Sequence, residues 1–411
     1  MATASAVDPA LNGTREVRNV LLLALCQGLA ISAIAITVTV SALAGLQLAP
    51  APGFVTLPYG IMATVTACAT IPMSLFMGRV GRRGGFGLGS LMGATGARVV
   101  AMAVIRDDFV LYCAGHALMG LFQATAPYFR FAATEAVRPT LRERAIAWVL
   151  GGGLLAAVLG PQLGAASFDW WAPYLFASSF VAVACLAIGV AATSALLRLP
   201  PPPKATADTA PARPLGVIAR QPVYVVGVIN ALAAYAVMAF IMSATSPAVV
   251  GCGFGVGDAA SVIQWHLVGM FAPSFVTGHL MARLGLYPVM FTGAVLLLAS
   301  TLIAASGLAL WQFTTALICL GVGWNFVYVG GTALVTRAHT ANERAKAQGL
   351  CELLVFGSVA LVTMSSGGVL ASLGWAGLNQ AAVPLIVLAG AATAWLAVRG
   401  EASPVPATEV R

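Results

Sequence analysis

The chain has 411 residues, of which 60% are hydrophobic and only 8% charged, and its mean hydropathy is +0.92. Soluble domains carry roughly 25% charged residues, so these charges are too few to cover a water-facing surface of this size, and lipid must surround most of the protein. The formal net charge of +8 does not point to nucleic acid, because the basic residues are scattered over short loops.

Twelve apolar runs follow one another, at 18–46, 54–77, 85–105, 109–133, 145–168, 171–197, 222–250, 259–281, 286–306, 309–335, 345–371 and 375–398. Each is near the length, roughly 20 residues, that spans a bilayer as a helix. Barrel strands would instead alternate polar and apolar residues. The first run is too long for a signal-peptide core and lacks a convincing cleavage site, so it counts as a helix. With the N-terminus inside, 18 of the 21 basic residues fall on cytoplasmic segments. That asymmetry places both termini in the cytoplasm. Seven cysteines, an odd number mostly within apolar runs, do not make a disulfide scaffold.

Residues 199–221 are polar and Pro-rich, with Pro200 to Pro203, Pro211 and Pro214. They read as a cytoplasmic linker between a six-helix bundle, 1–198, and a second, 222–411, that ends in a short tail. An internal repeat supports the division. Met77-Gly78-Arg79-Val80-Gly81 aligns with Met281-Ala282-Arg283-Leu284-Gly285, and Glu143-Arg144-Ala145 with Glu343-Arg344-Ala345. The predicted fold is therefore an all-α membrane protein of 12 transmembrane helices in two six-helix halves.

Two such repeats, with a site between them near the midplane, resemble the major facilitator superfamily. Ser74 to Arg83 resembles that superfamily's loop 2–3 signature, G-x-x-x-D-R-x-G-R-R, with Gly78 in the acidic position and Ser74 at the first glycine. The resemblance gives Arg79 a gating or coupling role. Gly160-Pro161-Gln162-Leu163-Gly164 resembles a helix-5 motif of antiporters. An alternating-access carrier follows from the resemblance; its cargo does not.

The polar content of the spans narrows the cargo, because such groups are costly in hydrocarbon. No span carries paired carboxylates or a basic cluster. What stands out is Met238-x-x-x-Met242 in helix 7 and His266-x-x-x-Met270 in helix 8. A spacing of four puts each pair on one face, about 6 Å apart along the axis. The outer turn between the helices centres near Phe254, so an antiparallel pair would set Met242 level with His266 and Met238 level with Met270. Neutral thioether and imidazole donors suit Cu(I), whereas Zn(II) prefers thiolate or carboxylate. Methionine also serves as a plain filler of apolar helices.

Tyr235 followed by the two motifs is similar to the helix 7 and helix 8 pattern of the CcoA-like copper importers, the CalT family of this superfamily. The resemblance implies a bacterial inner-membrane carrier that delivers copper for assembly of cbb3-type cytochrome c oxidase. Copper would be the substrate and no cofactor is implied. Partners would be the bilayer and cytoplasmic thiols or a copper chaperone, with no nucleic acid; the carrier would be a monomer. The wider family includes riboflavin importers, so riboflavin or another small organic solute is the alternative cargo. A drug/proton antiporter is a second alternative.

Accessory candidates are Met73 and Met77 as an exit relay, and Met62 as the repeat counterpart of His266. Cys252 is a candidate for ion capture at the outer end. His116 and Glu352 are coupling candidates, against the plainer reading of buried structural groups. No nucleophile–base pair or phosphate-binding loop suggests an enzyme.

Overall fold

A long apolar segment in lipid must satisfy its backbone polar groups internally, and the helix does so within one segment. The computed structural model describes residues 9–138, 141–199, 213–340 and 343–399. Most of the expected linker and the tail beyond 399 lie outside these residues. The described elements are α1 (Pro9–Leu48), α2 (Leu57–Val80), α3 (Arg82–Arg106), α4 (Phe109–Gln123), α5 (Tyr128–Glu135), α6 (Arg142–Ala166), α7 (Ala177–Ala195), α8 (Leu215–Ala219), α9 (Pro222–Gly251), α10 (Val256–Phe271), α11 (Ser274–Leu284), α12 (Leu286–Ala305), α13 (Leu310–Arg337) and α14 (Arg344–Arg399).

Nine described helices are long and apolar enough to cross a membrane, or ten when α10 and α11, bent by 42°, count as one span. Helix α14 has 56 residues and breaks at Gly374, where φ is 69° and ψ is −176°. At 1.5 Å per residue it exceeds twice a bilayer core, so it makes two spans. Helix α6, with 25 residues, fits the one run that remains. The helices thus follow the twelve apolar runs in order. Both ends of the described chain lie at one end of the bundle, called here the terminal end; the other is the far end. Trp170, Trp171 and Trp311 at the far end are 64%, 48% and 64% exposed, as interfacial anchors would be.

Small residues set the helix spacing. Gly28 of α1 faces Gly152 of α6 so closely that a Cβ on Gly28 would lie 3.2 Å from the Gly152 carbonyl oxygen. The core divides into one large cluster from α1 to α7 and others built mainly from α9 to α14. The sequence repeat has a backbone counterpart. Gly81 (φ 85°, ψ 159°) and Gly285 (φ 93°, ψ 159°) close α2 and α11 in the same conformation. Each donates its N–H to the methionine four residues earlier, Met77 or Met281. The positive φ favours glycine at both turns.

The hydrogen bonds that join the two halves gather at the far end. Thr56 Oγ1 accepts the Gly367 N–H at 3.0 Å and the Ser366 hydroxyl at 3.3 Å, and Ser366 in turn meets Ser243 at 2.8 Å. Gln162 donates to Gln264 at 2.7 Å. Gly60 abuts Met364, with room for no Cβ between them. At the terminal end two ion pairs within the N-terminal half and one within the C-terminal half stand among the described residues. Arg82 binds Glu135 through two hydrogen bonds, of 3.1 and 2.7 Å. Arg213 donates to Glu343 at 2.6 and 2.7 Å, and this guanidinium holds the Glu343 carboxyl well below the usual carboxylate range.

Candidate functional site

The four residues singled out in helices 7 and 8 are all buried: Met238, Met242, His266 and Met270. The three methionines belong to one apolar cluster, which also includes Leu317, the residue whose carbonyl meets the His266 ring. His266 Nδ1 lies 2.8 Å from the Leu317 carbonyl oxygen. A carbonyl only accepts, so Nδ1 carries the proton and Nε2 the lone pair. That Nε2 is buried and has no hydrogen-bond partner. Buried polar atoms are rarely left so.

Helix α13 links the depths of the two motifs. It runs antiparallel to α9, and Tyr235 packs edge-on against both Trp324 and Tyr328, with ring centroids at 5.3 and 5.1 Å. Moving seven residues along α9 to Met242 corresponds to moving back along α13 to residues 317–321. His266 holds that same level, through Leu317 on one side and the close approach of Gly321 to the His266 carbonyl on the other. Four residues deeper, the carbonyl of Met270 accepts the Asn325 amide at 2.8 Å. Asn325 also donates to Ser274 and accepts from Thr277, so it bridges the break between α10 and α11. The depth match read from the hairpin therefore holds. The packing differs. Helices α9 and α10 are not a tight antiparallel pair: α9 rests chiefly on α13 and α14, and α10 on α13 and α6. A hairpin's sequence fixes depth along the axes but not which neighbour fills the gap.

Among the described residues no group of three His, Cys, Asp or Glu side chains could hold a metal. A site built here would rest on thioethers and one imidazole, a donor set for a soft monovalent ion.

The accessory candidates disperse. Met62, Met73 and Met77 are buried in the core of the N-terminal half, away from His266. The repeat offset matched residue numbers, not faces: Met62 packs where α2 meets Gly120 of α4. Met77 fills the space beside Gly85, and its sulfur is 3.8 Å from Arg82 Nη1. Cys252 is exposed at the far end of α9. His116 is fully satisfied, with Nε2 2.8 Å from Ser41 Oγ and Nδ1 2.9 Å from the Tyr112 carbonyl. In the loop signature it is Arg82, not Arg79, that holds an ion pair among the described residues. Arg79 is exposed. Glu352 forms no ion pair with a described residue but lies in electrostatic range of Arg130, across the two halves.

Around Glu352 the structure gathers residues that motif reading passed over. Tyr235, Trp324, Tyr328 and Phe356 form an aromatic cluster in which Trp324 and Tyr328 stack at 5.0 Å and 12°. Tyr59 and Arg130 from the other half lie in electrostatic range of Tyr235. The Trp324 Nε1 is buried with no partner. Flat faces with a cation and an anion at their edge could hold a planar polar ring. The aromatic residues at 324 and 328, one helical turn apart, were the available signal.

Twelve spans in two repeats have the architecture of a secondary transporter of the major facilitator class. Residues 20–274 match the Major Facilitator Superfamily. The riboflavin transporter RfnT of Brucella anthropi is 38% identical over 380 residues, covering 92% of this chain and 95% of its own. An uncharacterized MFS-type transporter of Bacillus subtilis, YdeG, is 30% identical over 85% of this chain and 84% of its own. A bacterial homolog of the human lysosomal transporter Spinster, solved in an inward-facing and occupied conformation, superposes with a TM-score of 0.70 at 17% identity, covering 96% of this chain and 98% of that one. The chain belongs to the major facilitator superfamily; it is a multi-pass membrane transporter and not an enzyme.

Proposed function

We propose that the chain imports Cu(I) across a bacterial inner membrane by alternating access. The observation that carries this reading is the unpartnered, buried Nε2 of His266, level with Met242 and one turn from Met270. A lone pair buried without a donor costs roughly 1–3 kcal/mol; a soft cation would use it. The ligands are neutral, so the loaded site carries a single positive charge, which is far cheaper to bury than two. An inside-negative potential favours entry by about 2.3 kcal/mol per 100 mV. The terminal end then faces the cytoplasm, as the arginine distribution suggests. Release there would pass the ion to cytoplasmic thiols or a chaperone.

A second reading, riboflavin or a similar planar solute, is favoured by the named Brucella relative and by the aromatic cluster around Tyr235. One experiment separates the two. Proteoliposomes would be assayed for radiocopper under reducing conditions and for labelled riboflavin, with wild type, His266→Leu and Trp324→Ala. The copper reading requires wild-type copper uptake that His266→Leu abolishes. Copper uptake unchanged by His266→Leu would refute it. Riboflavin uptake lost in Trp324→Ala would establish the second reading.

A further inference from the structure

At the terminal end of the N-terminal half, remote from His266, three arginines line one pocket. Arg18 near the start of α1, Arg83 at the start of α3 and Arg198 just past α7 share a cavity of about 330 Å³ with Leu22, Leu196 and Leu197. Helices α3 and α7 pack against helices of their own half. The arrangement is built. Asn19, itself buried, donates to the Arg198 carbonyl at 2.9 Å and accepts the Arg198 N–H at 3.2 Å. That double clamp ties the end of α7 to α1. Arg18 Nη2 reaches the Leu196 carbonyl at 3.4 Å.

The three guanidinium groups have no carboxylate partner among the described residues. Among the described acids, Glu135 is engaged by Arg82 and Glu16 by Arg138. A pocket lined by one sign of charge concentrates counter-ions, here anions. The guanidinium fork matches phosphate oxygens. The pocket also adjoins an apolar strip: Leu21 and Leu25 are each 50% exposed and Leu196 63%. Such a strip continues into the hydrocarbon, where acyl chains would lie.

We propose that this pocket binds the phosphate of an anionic phospholipid, with its chains along Leu21 and Leu25. Basic pockets between helix ends are suited to such headgroups. The test uses the purified full chain in detergent, offered equimolar phosphatidylglycerol and phosphatidylcholine, with retained lipid read by native mass spectrometry. Wild type should prefer phosphatidylglycerol about tenfold or more. The triple variant Arg18→Gln, Arg83→Gln, Arg198→Gln should bring the ratio near parity. Single variants, which perturb folding less, should each lower it severalfold. An unselective wild type, or variants that keep its preference, would overturn the proposal. So would complete displacement of the lipid by millimolar inorganic phosphate, which would mark a site for a soluble anion.

Discussion

His266 Nδ1 and the Leu317 carbonyl lie 2.8 Å apart on two different helices. This one bond fixes the ring, its tautomer and the direction of the free nitrogen. In metal sites a histidine is usually oriented in this way, by a hydrogen bond from its other nitrogen.

Removal of the imidazole should therefore cost function more than stability. In His266→Leu the Leu317 carbonyl keeps its place in α13 and no lone pair remains buried. The unfolding midpoint in detergent should correspond to a change within about 1 kcal/mol. Copper bound per purified protein should fall to background, as read by elemental analysis.

His116 should behave the other way. Both its nitrogens are engaged, and its ring packs on Phe180 at 5.7 Å. His116→Ala should destabilise by about 2–4 kcal/mol, through a cavity and a stranded Ser41 hydroxyl. Transport per folded molecule should be retained. A thermal melt paired with an uptake assay checks both halves of this statement.

Gly60 sets the far-end seal. A Cβ there would lie 3.0 Å from the Met364 backbone nitrogen and closer still to its side chain. Gly60→Leu should hold the far end open. A cysteine placed at Ser243 should then react severalfold faster with a membrane-impermeant thiol reagent applied from that side, in a background lacking the exposed native cysteines.

The Arg213–Glu343 pair anchors the chain ahead of α9. Because its pairing depresses the Glu343 carboxyl, the contribution is complete above the ordinary carboxylate range and is lost only as pH falls through the depressed value. Hydrogen-exchange protection of residues 213–221, corrected for intrinsic rate, should therefore be unchanged between pH 7 and pH 5. Glu343→Gln should accelerate that exchange by about tenfold at pH 7.

Much of this was legible in the sequence because hydropathy reports length. The twelve runs matched the helices, and Gly81 and Gly285 closed equivalent turns as the repeat implied. Depth was legible for the same reason: counting outward from the α9–α10 turn set Met242 level with His266. Azimuth was not. Apolar residues surround every helix of a membrane bundle, so no polar face shows which way Met62 or Met77 points. Both proved to be packing residues of the N-terminal half. The Tyr235–Trp324–Tyr328–Phe356 cluster combines three helices whose mutual rotation no short motif encodes.

The clasp of Thr56, Ser243 and Ser366 contains only hydroxyl and amide groups. When those surfaces part, water can replace each bond at little net expense, unlike the separation of buried ions. Two conformers that differ by the parting of so neutral a seal can lie close in free energy. A cargo that binds only modestly better to one of them could then tip the balance, and thermal motion alone could reset the empty carrier.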